Sequence, residues 1–234
     1  MRYAELRTAL AEVLAARPSI AGITAGLHLM NDASLVALID AIVDSPVGDS
    51  LATASYEHPS GFAKLILADG AGLFKLRLHL WPAASTQSDL HNHRWDFGVR
   101  VLGGGYRFAE YVMAAGDDWQ HYRYFSPGSS DHFRVEDRGR SGIVPTRSGH
   151  VSAGSRYTLL ADVIHGVQTD ADRPTVSLVL QGPDLRACTT VLTRQSKGTA
   201  ASTDIPVRRL DGERYRRYLL QSRALVAASV GVLS

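Results

Sequence analysis

The chain contains the sequence Phe74-Lys75-Leu76-Arg77-Leu78-His79-Leu80-Trp81, in which Phe and Leu residues occupy every second position. An alternation with a period of two is typical of a β-strand that has one face in a hydrophobic core. We therefore expect a strand whose even-numbered residues are buried and whose odd-numbered residues, from Arg77 onward, face the other side.

Further short runs with strand character follow, and turn residues separate several of them. The predicted strands are Phe97–Leu102, Tyr106–Val112, Trp119–Phe125, His132–Val135, His150–Ser152, Tyr157–Leu160 and Thr175–Leu180. The predicted turns are Gly103–Gly105, Gly116–Asp118, Ser126–Gly128 and Asp170–Pro174. Many short strands at this spacing predict a sandwich, jelly roll or barrel. No helix-length segment alternates with them, which argues against a parallel sheet.

Helical patterns flank the predicted strands on both sides. One helix is expected over 4–16, and a second starts after Asn31 or Asp32 and ends before Pro46. Residues 195–203 are small and polar, which predicts a flexible loop, and 211–228 predicts a C-terminal helix. We expect three parts: an N-terminal helical segment packed on a barrel (1–61), the β-barrel (62–194), and a linker with the C-terminal helix (195–234).

Composition excludes several classes of protein. The 234 residues include one cysteine, so no internal disulfide framework is expected. No apolar run reaches the roughly 18 residues of a transmembrane helix, and the first residues lack the apolar core of a signal peptide. We therefore expect a cytoplasmic protein without a membrane partner.

The net charge of +2 is small, although 22 of the 25 basic residues are arginines. Four of them lie on the predicted C-terminal helix, namely Arg214, Arg216, Arg217 and Arg223. Because no basic stripe continues elsewhere, we interpret them as a solvated helix face and expect no nucleic acid partner.

The strongest chemical signal is the sequence Leu90-His91-Asn92-His93-Arg94-Trp95-Asp96-Phe97. On a strand, His91 and His93 project from the same face, where two imidazoles can bind iron, copper, nickel or zinc. A third histidine, His165, lies in an apolar segment just before a turn. The competing site of two histidines and one carboxylate is less suitable. Asp96 would face away from His93, and Asp162 lies three residues before His165.

At this point the sequence resembles the cysteine dioxygenases, the thiol dioxygenases of the cupin superfamily, from about residue 62 to residue 188. The likeness consists of the Phe74–Trp81 strand, the His-x-His pair, Tyr157 eight residues before His165, the segment Val176–Pro183, and Cys188. The resemblance implies a cupin jelly-roll β-barrel in which His91, His93 and His165 hold Fe(II). It also implies that Lys64 stands where the family has its carboxylate-binding arginine, and that Trp81 and His79 line the pocket.

The sequence departs from that family around the metal. The Ser, His and Tyr that the family places behind its ligands correspond to Ser177, Val179 and Gln181. The position of the family's cross-linked cysteine is Gly98, and the glutamate ligand of other cupins is missing. These departures make dioxygenation of cysteine itself doubtful.

Strand parity suggests which other side chains share the pocket. We expect Arg77, His79 and Trp81 on the metal side. The remaining candidates are Arg100, Gln181 and Tyr157. Lys64, Arg77, Trp81, Arg100 and Gln181 are the candidate substrate-binding residues, and His79 and Tyr157 are the candidate catalytic residues.

The favoured function is a mononuclear non-heme Fe(II) oxygenase that acts with O₂ on a small amino-acid-like carboxylate. One alternative is a zinc-dependent cupin that catalyses a non-redox step in biosynthesis, such as N–N bond formation or rearrangement, since three imidazoles also suit Zn(II) or another divalent transition metal. Another is a cupin that senses a small molecule without turning it over. No nucleotide cofactor is expected, and a homodimer is left open.

Overall fold

The computed structural model of the chain describes residues 3–17, 19–59, 61–83, 89–126, 131–170, 172–194 and 202–231. Its helices are α1 (Tyr3–Ala16), α2 (Ser19–His28), α3 (Asp32–Val43), α4 (Val47–Ala54) and α5 (Gly212–Gly231). Its strands are β1 (Tyr56–His58), β2 (Phe62–Asp69), β3 (Lys75–Trp81), β4 (Asp89–His91), β5 (Phe97–Gly103), β6 (Gly105–Phe125), β7 (His132–Ser152), β8 (Arg156–Leu159), β9 (Ile164–Thr169), β10 (Thr175–Gln181), β11 (Cys188–Thr193), β12 (Ser202–Pro206) and β13 (Arg208–Arg209).

The strands form two antiparallel sheets, as the short-strand pattern predicts. The first sheet has the order β13-β1-β2-β3-β10-β5-β8, and the second has the order β11-β4-β9-β6-β7-β12. Strand β3 lies in the middle of the first sheet, where Leu76, Leu78 and Leu80 are buried. The expected fold class is confirmed: the protein is mostly β, a jelly-roll barrel with helices at both ends of the chain.

The helices cover the outer face of the first sheet. Their buried leucines and isoleucines share one hydrophobic cluster with the even-numbered residues of β3. Helix α3 begins as predicted, because the side chain of Asn31 accepts a hydrogen bond from the amide of Ser34 at 2.8 Å. Helix α5 is attached to the sheet through Tyr215, whose hydroxyl donates to the carbonyl of Ile66 at 2.6 Å.

Helices α2 and α4 were not expected from the sequence. Helix α2 contains Gly22 and Gly26, which weaken a helical pattern because glycine is a poor helix former. The structure gives Gly26 a packing role, since a Cβ atom there would lie 2.5 Å from the side chain of Leu180 in the sheet.

Strands β6 and β7 form one long hairpin in place of several short strands. The Gly116–Asp118 segment, expected as a turn, lies inside β6. Ala114 pairs with Gly142 and Trp119 pairs with Ser141, so the residues between Ala114 and Trp119 form a bulge. Of the expected Ser126–Gly128 turn, residues 127 and 128 lie outside the described residues.

The sheets extend beyond the expected limits of the barrel at 62 and 194. Strand β1 precedes residue 62, whereas β12 and β13 follow residue 194. Of the expected loop at 195–203, residues 195–201 lie outside the described residues, and the remainder begins β12.

Three arginines of α5 form ion pairs at the surface. Arg214, Arg216 and Arg223 lie 3.5, 2.7 and 2.5 Å from carboxylates of Glu57, Asp49 and Asp40, respectively. These pairs agree with the interpretation of a solvated helix face.

Among the described helices, no single one is long and apolar enough to span a membrane. Helices α2 and α3 taken together have the length and composition of a span, but they are bent by 85° relative to each other.

Candidate metal centre and cavity

Three histidines from the second sheet converge at one point. His91 on β4 and His165 on β9 are direct antiparallel partners. His93 follows β4 in a segment whose path is held by a hydrogen bond from its amide to the carbonyl of Ala161, 3.0 Å. One ring nitrogen of each histidine lies within 4.8 Å of those of the other two. Sequence spacing alone suggested the first pair, and the strand pairing brings His165 beside it.

Backbone carbonyls orient two of these rings. The Nδ1 atom of His165 lies 3.1 Å from the carbonyl oxygen of Val163. Because a carbonyl can only accept, Nδ1 carries the proton and Nε2 keeps a free lone pair. His91 is similarly bonded to the backbone of Asp89. A hydrogen bond of this kind to one ring nitrogen is what metal-binding histidines commonly make.

All three imidazoles are neutral at neutral pH. Burial lowers the pKa of His91 to about 4 and that of His165 to about 3. Burial, followed by the repulsion that a proton on His91 or His165 would exert, holds the pKa of His93 well below its usual value. Neutral imidazoles are the form that binds a metal.

The donor set therefore fits a mononuclear transition metal held by three histidines. Neither competing carboxylate reaches it. Asp96 accepts from the amide of Ala161 at 2.7 Å and from the hydroxyl of Ser19. Asp162 lies on the surface, 3.9 Å from Arg186. Fe(II), Zn(II) and related divalent ions suit three neutral nitrogens.

A stack of side chains supports His93 from the side of the first sheet. The indole of Trp95 lies nearly parallel to the imidazole, with ring centroids 4.1 Å apart and planes at 19°. The guanidinium of Arg77 lies 4.3 Å from the centroid of the same indole and donates to the side-chain oxygen of Gln181. Trp95 therefore separates a cation from a candidate ligand while contacting both.

A cavity of about 590 Å³ lies between the two sheets and contains the histidine cluster in its wall. Most of the predicted pocket residues line it. These are Lys64, Arg77, His79, Trp81, Tyr157 and Gln181. The parity argument for β3 therefore describes the positions correctly, whereas the roles of these residues stay predictions.

The cavity lining contains two basic side chains, Lys64 and Arg77, that form no ion pair with a described residue. Lys64 donates to the hydroxyl of Tyr56 at 3.0 Å, and burial holds the pKa of Lys64 well below its usual value. Burial also lowers the pKa of Arg77 to about 10. Among the described residues, no carboxylate lies within ion-pair distance of either group, and Nε of Arg77 and Nε2 of His79 are buried without a hydrogen bond. Buried polar atoms of this kind indicate a missing ligand or water.

One expected position, that of Arg100, is wrong. The guanidinium of Arg100 points to the helices, where it donates to the carbonyl of Met30 at 2.9 Å and pairs with Asp32 at 2.5 Å. The reason is parity: Phe97 and Val99 line the cavity, so Gly98 and Arg100 occupy the opposite face of β5. A Cβ atom at Gly98 would meet side chains of α2, so this residue does not take the place of a cysteine beside the metal.

The sequence reasoning also missed several lining residues. Tyr106 faces Tyr157, with 2.7 Å between the two hydroxyl oxygens, and burial raises the pKa of both. Asp89, two residues before His91, lines the cavity by the same alternation that places the histidine. Other missed lining residues, Tyr56, His58, Phe62 and Phe133, come from β1, β2 and β7. Alternation along β4 could have identified Asp89, whereas β1 is too short for a periodic signal.

The molecule is thus a jelly-roll β-barrel protein with a three-histidine candidate metal centre. No protein-family model matches the chain, and no curated protein matches it.

Solved structures show partial similarity. They include a DMSP lyase from Ruegeria pomeroyi DSS-3 (18% identity, 55% of this chain and 50% of that chain, TM-score 0.34). HEPD from Streptomyces albus, with 2-hydroxyethylphosphonate and Fe(II) bound, shows 11% identity over 56% of this chain and 24% of that chain, with a TM-score of 0.35. A cupin domain from Bordetella pertussis Tohama I shows 16% identity over 53% of this chain and 96% of that chain, with a TM-score of 0.32. The aligned part therefore spans half the length of the DMSP lyase.

Proposed function

We propose that the protein is a mononuclear non-heme Fe(II) oxygenase that acts with O₂ on a small molecule bearing a carboxylate. The observation that carries this proposal is the convergence of three neutral imidazoles in the wall of a cavity that also contains Lys64 and Arg77, neither of which forms an ion pair with a described residue. His91, His93 and His165 would hold the metal. Bound Fe(II) supplies redox chemistry with dioxygen and open positions for substrate.

The chain's own residues bind and orient the substrate. Lys64 and Arg77 hold the carboxylate, because a charged hydrogen bond in a shielded cavity is stronger than one in water. Gln181 and Trp95 fix the guanidinium of Arg77 from two sides. An anionic substrate also removes the cost of leaving two buried cations uncompensated.

His79 and Tyr157 are the candidates for holding or moving a proton. Burial, with the charges of Arg77 and Lys64, holds the pKa of His79 well below its usual value, so its ring is neutral and can accept a proton at Nε2. Tyr157 and its partner Tyr106 stay protonated, because burial raises the pKa of each hydroxyl. Tyr157 therefore acts as a hydrogen-bond partner.

The apolar side chains of Phe97, Val99 and Val179 keep water from this end of the cavity.

The metal assignment is tested by substitution of the ligands. His91→Ala or His93→Ala removes one of three donors, and we expect loss of the stoichiometric metal. Inductively coupled plasma mass spectrometry of protein purified without added metal provides the measurement. His150→Ala is the control, because this exposed histidine pairs with Asp170 outside the cavity. One metal per chain in the His91 or His93 variant would contradict the site.

The oxidative assignment is tested by dioxygen consumption. An iron-loaded protein that consumes O₂ only when a carboxylate substrate is present supports the proposal. Zinc in the purified protein, with no dioxygen consumed after iron loading, would favour the non-redox alternative. That alternative has support from the same three neutral nitrogens and from the side chains at Ser177, Val179 and Gln181, which supply no acidic hydroxyl of the cysteine dioxygenase kind.

A further inference from the structure

The cavity wall formed by the first sheet contains a polar pair with unused hydrogen-bonding capacity. Lys64 on β2 and His79 on β3 are antiparallel partners, so their side chains are direct neighbours on one face. Nε2 of His79 is shielded from solvent and has no hydrogen-bond partner among the described residues. Lys64 makes its described hydrogen bond to a neutral phenol, that of Tyr56. A carboxylate would satisfy the ammonium directly.

A stack of aromatic rings lies beside this pair. Phe62 stacks between His58 and Trp81, with centroid separations of 4.6 and 4.1 Å and interplanar angles of 20° and 27°. Its centroid also lies 4.6 Å from that of His79. Phe62, Trp81 and His58 all line the cavity. Because His58 and Trp81 cover the faces of Phe62, this row of nearly parallel rings offers its edges to a planar aromatic ligand.

Strand geometry sets the distance between the two features. Phe62 precedes Lys64 by two residues, and His79 precedes Trp81 by two, so each pair shares a face. Two residues of a strand span about 7 Å. A ligand that uses both features therefore carries its acid group on the ring or within a bond or two of it. The volume of about 590 Å³ is in the range of sites for drug-sized molecules and exceeds what an aliphatic amino acid needs.

We propose that the substrate is an aromatic carboxylate, with its acid group at Lys64, beside His79, and its ring against the edges of Phe62 and Trp81. This inference rests on the proposed function for the role of the metal and adds the class of substrate. It differs from the small amino-acid-like carboxylate that is expected from the sequence.

The test is a calorimetric titration of the whole protein, as purified and after removal of metal by a chelator, with four probes. These are benzoate, cyclohexanecarboxylate, benzamide and acetate. Benzoate should bind tightest. We expect cyclohexanecarboxylate to bind about threefold to tenfold more weakly, because it lacks the aromatic contact. We expect benzamide to bind at least about tenfold more weakly, because it lacks the charge.

Two variants locate the binding. Lys64→Met should weaken benzoate about tenfold and leave benzamide nearly unchanged. Phe62→Leu should remove the preference for benzoate over cyclohexanecarboxylate. Arg173→Met is the control, because this cation lies on the surface beside Asp170 and outside the cavity. It should leave the affinity for benzoate within about twofold.

The inference is overturned if cyclohexanecarboxylate binds to the unmodified protein as tightly as benzoate, or if a folded Lys64→Met variant binds benzoate normally. The probe series on the unmodified protein decides the case even where a variant fails to fold. Metal analysis separates the two proposals. A protein that holds iron but does not prefer benzoate contradicts the substrate class alone, whereas a protein that prefers benzoate but holds no metal contradicts the oxygenase.

Discussion

At the scale of single residues, the candidate centre depends on how neighbouring side chains hold three imidazoles. Carbonyl groups fix the rings of His91 and His165, whereas His93 has the indole of Trp95 against its face. Trp95 in turn contacts the guanidinium of Arg77. Groups that orient a ligand from behind commonly influence metal affinity by about 10- to 100-fold. We therefore expect Trp95 to act as a positioning residue.

Substitution of Trp95 tests this role. Trp95→Ala removes the stacking surface, and we expect metal affinity to fall by about tenfold or more. Trp95→Phe keeps a flat ring and should restore most of the affinity. Competition with a fluorescent chelator measures both variants. Equal affinities for the Ala and Phe variants would show that the indole merely fills space.

The pKa of His79 predicts an acid-sensitive contribution to stability. Burial, then Arg77 and Lys64, hold this pKa below the unfolded value near 6.5. Above about pH 7.5 His79 is mostly unprotonated in both states, so the group adds little pH dependence. As the pH falls below 6.5, the unfolded chain binds a proton that the folded protein does not, and the folded state loses stability.

Substitution of His79 by a residue that does not titrate should therefore flatten the pH dependence. When the pH is lowered from about 7 to about 5, the free energy of unfolding of both proteins should fall. We expect the fall to be about 1–2 kcal/mol smaller for His79→Gln than for the unmodified protein. Urea unfolding at both pH values measures the difference. Parallel losses in the two proteins would mean that His79 is protonated in the folded state.

At the scale of elements, the position of the cavity depends on how helix α2 packs against strand β5. Gly98 lies on the face of β5 opposite Phe97 and Val99. A Cβ atom there would lie 2.6 Å from Leu27 and 2.8 Å from Ile23. Because β5 provides cavity-lining residues, its distance from α2 also affects the position of the cavity wall.

Gly98→Ala should therefore destabilise the protein. The added methyl group overlaps two buried side chains, and overpacking of this kind costs about 1–3 kcal/mol. Gly149→Ala is a matched control, because nothing lies within 4 Å of a Cβ atom at that strand position. Urea unfolding monitored by tryptophan fluorescence compares the two. A Gly98→Ala variant as stable as the Gly149→Ala variant would show that α2 moves freely away from the sheet.

At the scale of the whole molecule, the C-terminal helix completes the core on the outer side of the first sheet. Tyr215, Leu219 and Val226 are fully buried in the cluster that includes the leucines of β3. In the sensor alternative this basic helix would be an arm that binds a partner. Its buried face makes it a structural part of the barrel, so its deletion would expose the core.

Substitutions of two neighbouring leucines test whether helix α5 is part of the hydrophobic core. Leu219→Ala should destabilise the protein by about 2–5 kcal/mol, as for other buried leucines. Leu220→Ala should have little effect, because this neighbouring side chain is 49% exposed. Thermal unfolding followed by circular dichroism measures both variants. Similar melting temperatures would contradict a structural role for the helix.

The fold class and much of the candidate site follow from local sequence patterns. Alternation along Phe74–Trp81 predicted both faces of β3, and the His91-x-His93 spacing predicted two of the clustered imidazoles. Helix α2 and strand β1 could not be predicted in this way. Glycines weaken the helical pattern of the first, and the second is too short to show a period.

Other features depend on pairing between distant strands. His165 is brought beside His91 by the register of β4 and β9, which no short-range pattern contains. Arg100 was misplaced because its orientation depends on which face of β5 the helices cover. The aromatic surface around Phe62 likewise combines strands that are adjacent only in the folded sheet. Local sequence determines which face each side chain of a strand occupies, whereas tertiary packing decides which faces meet, because burial of apolar surface is shared between elements.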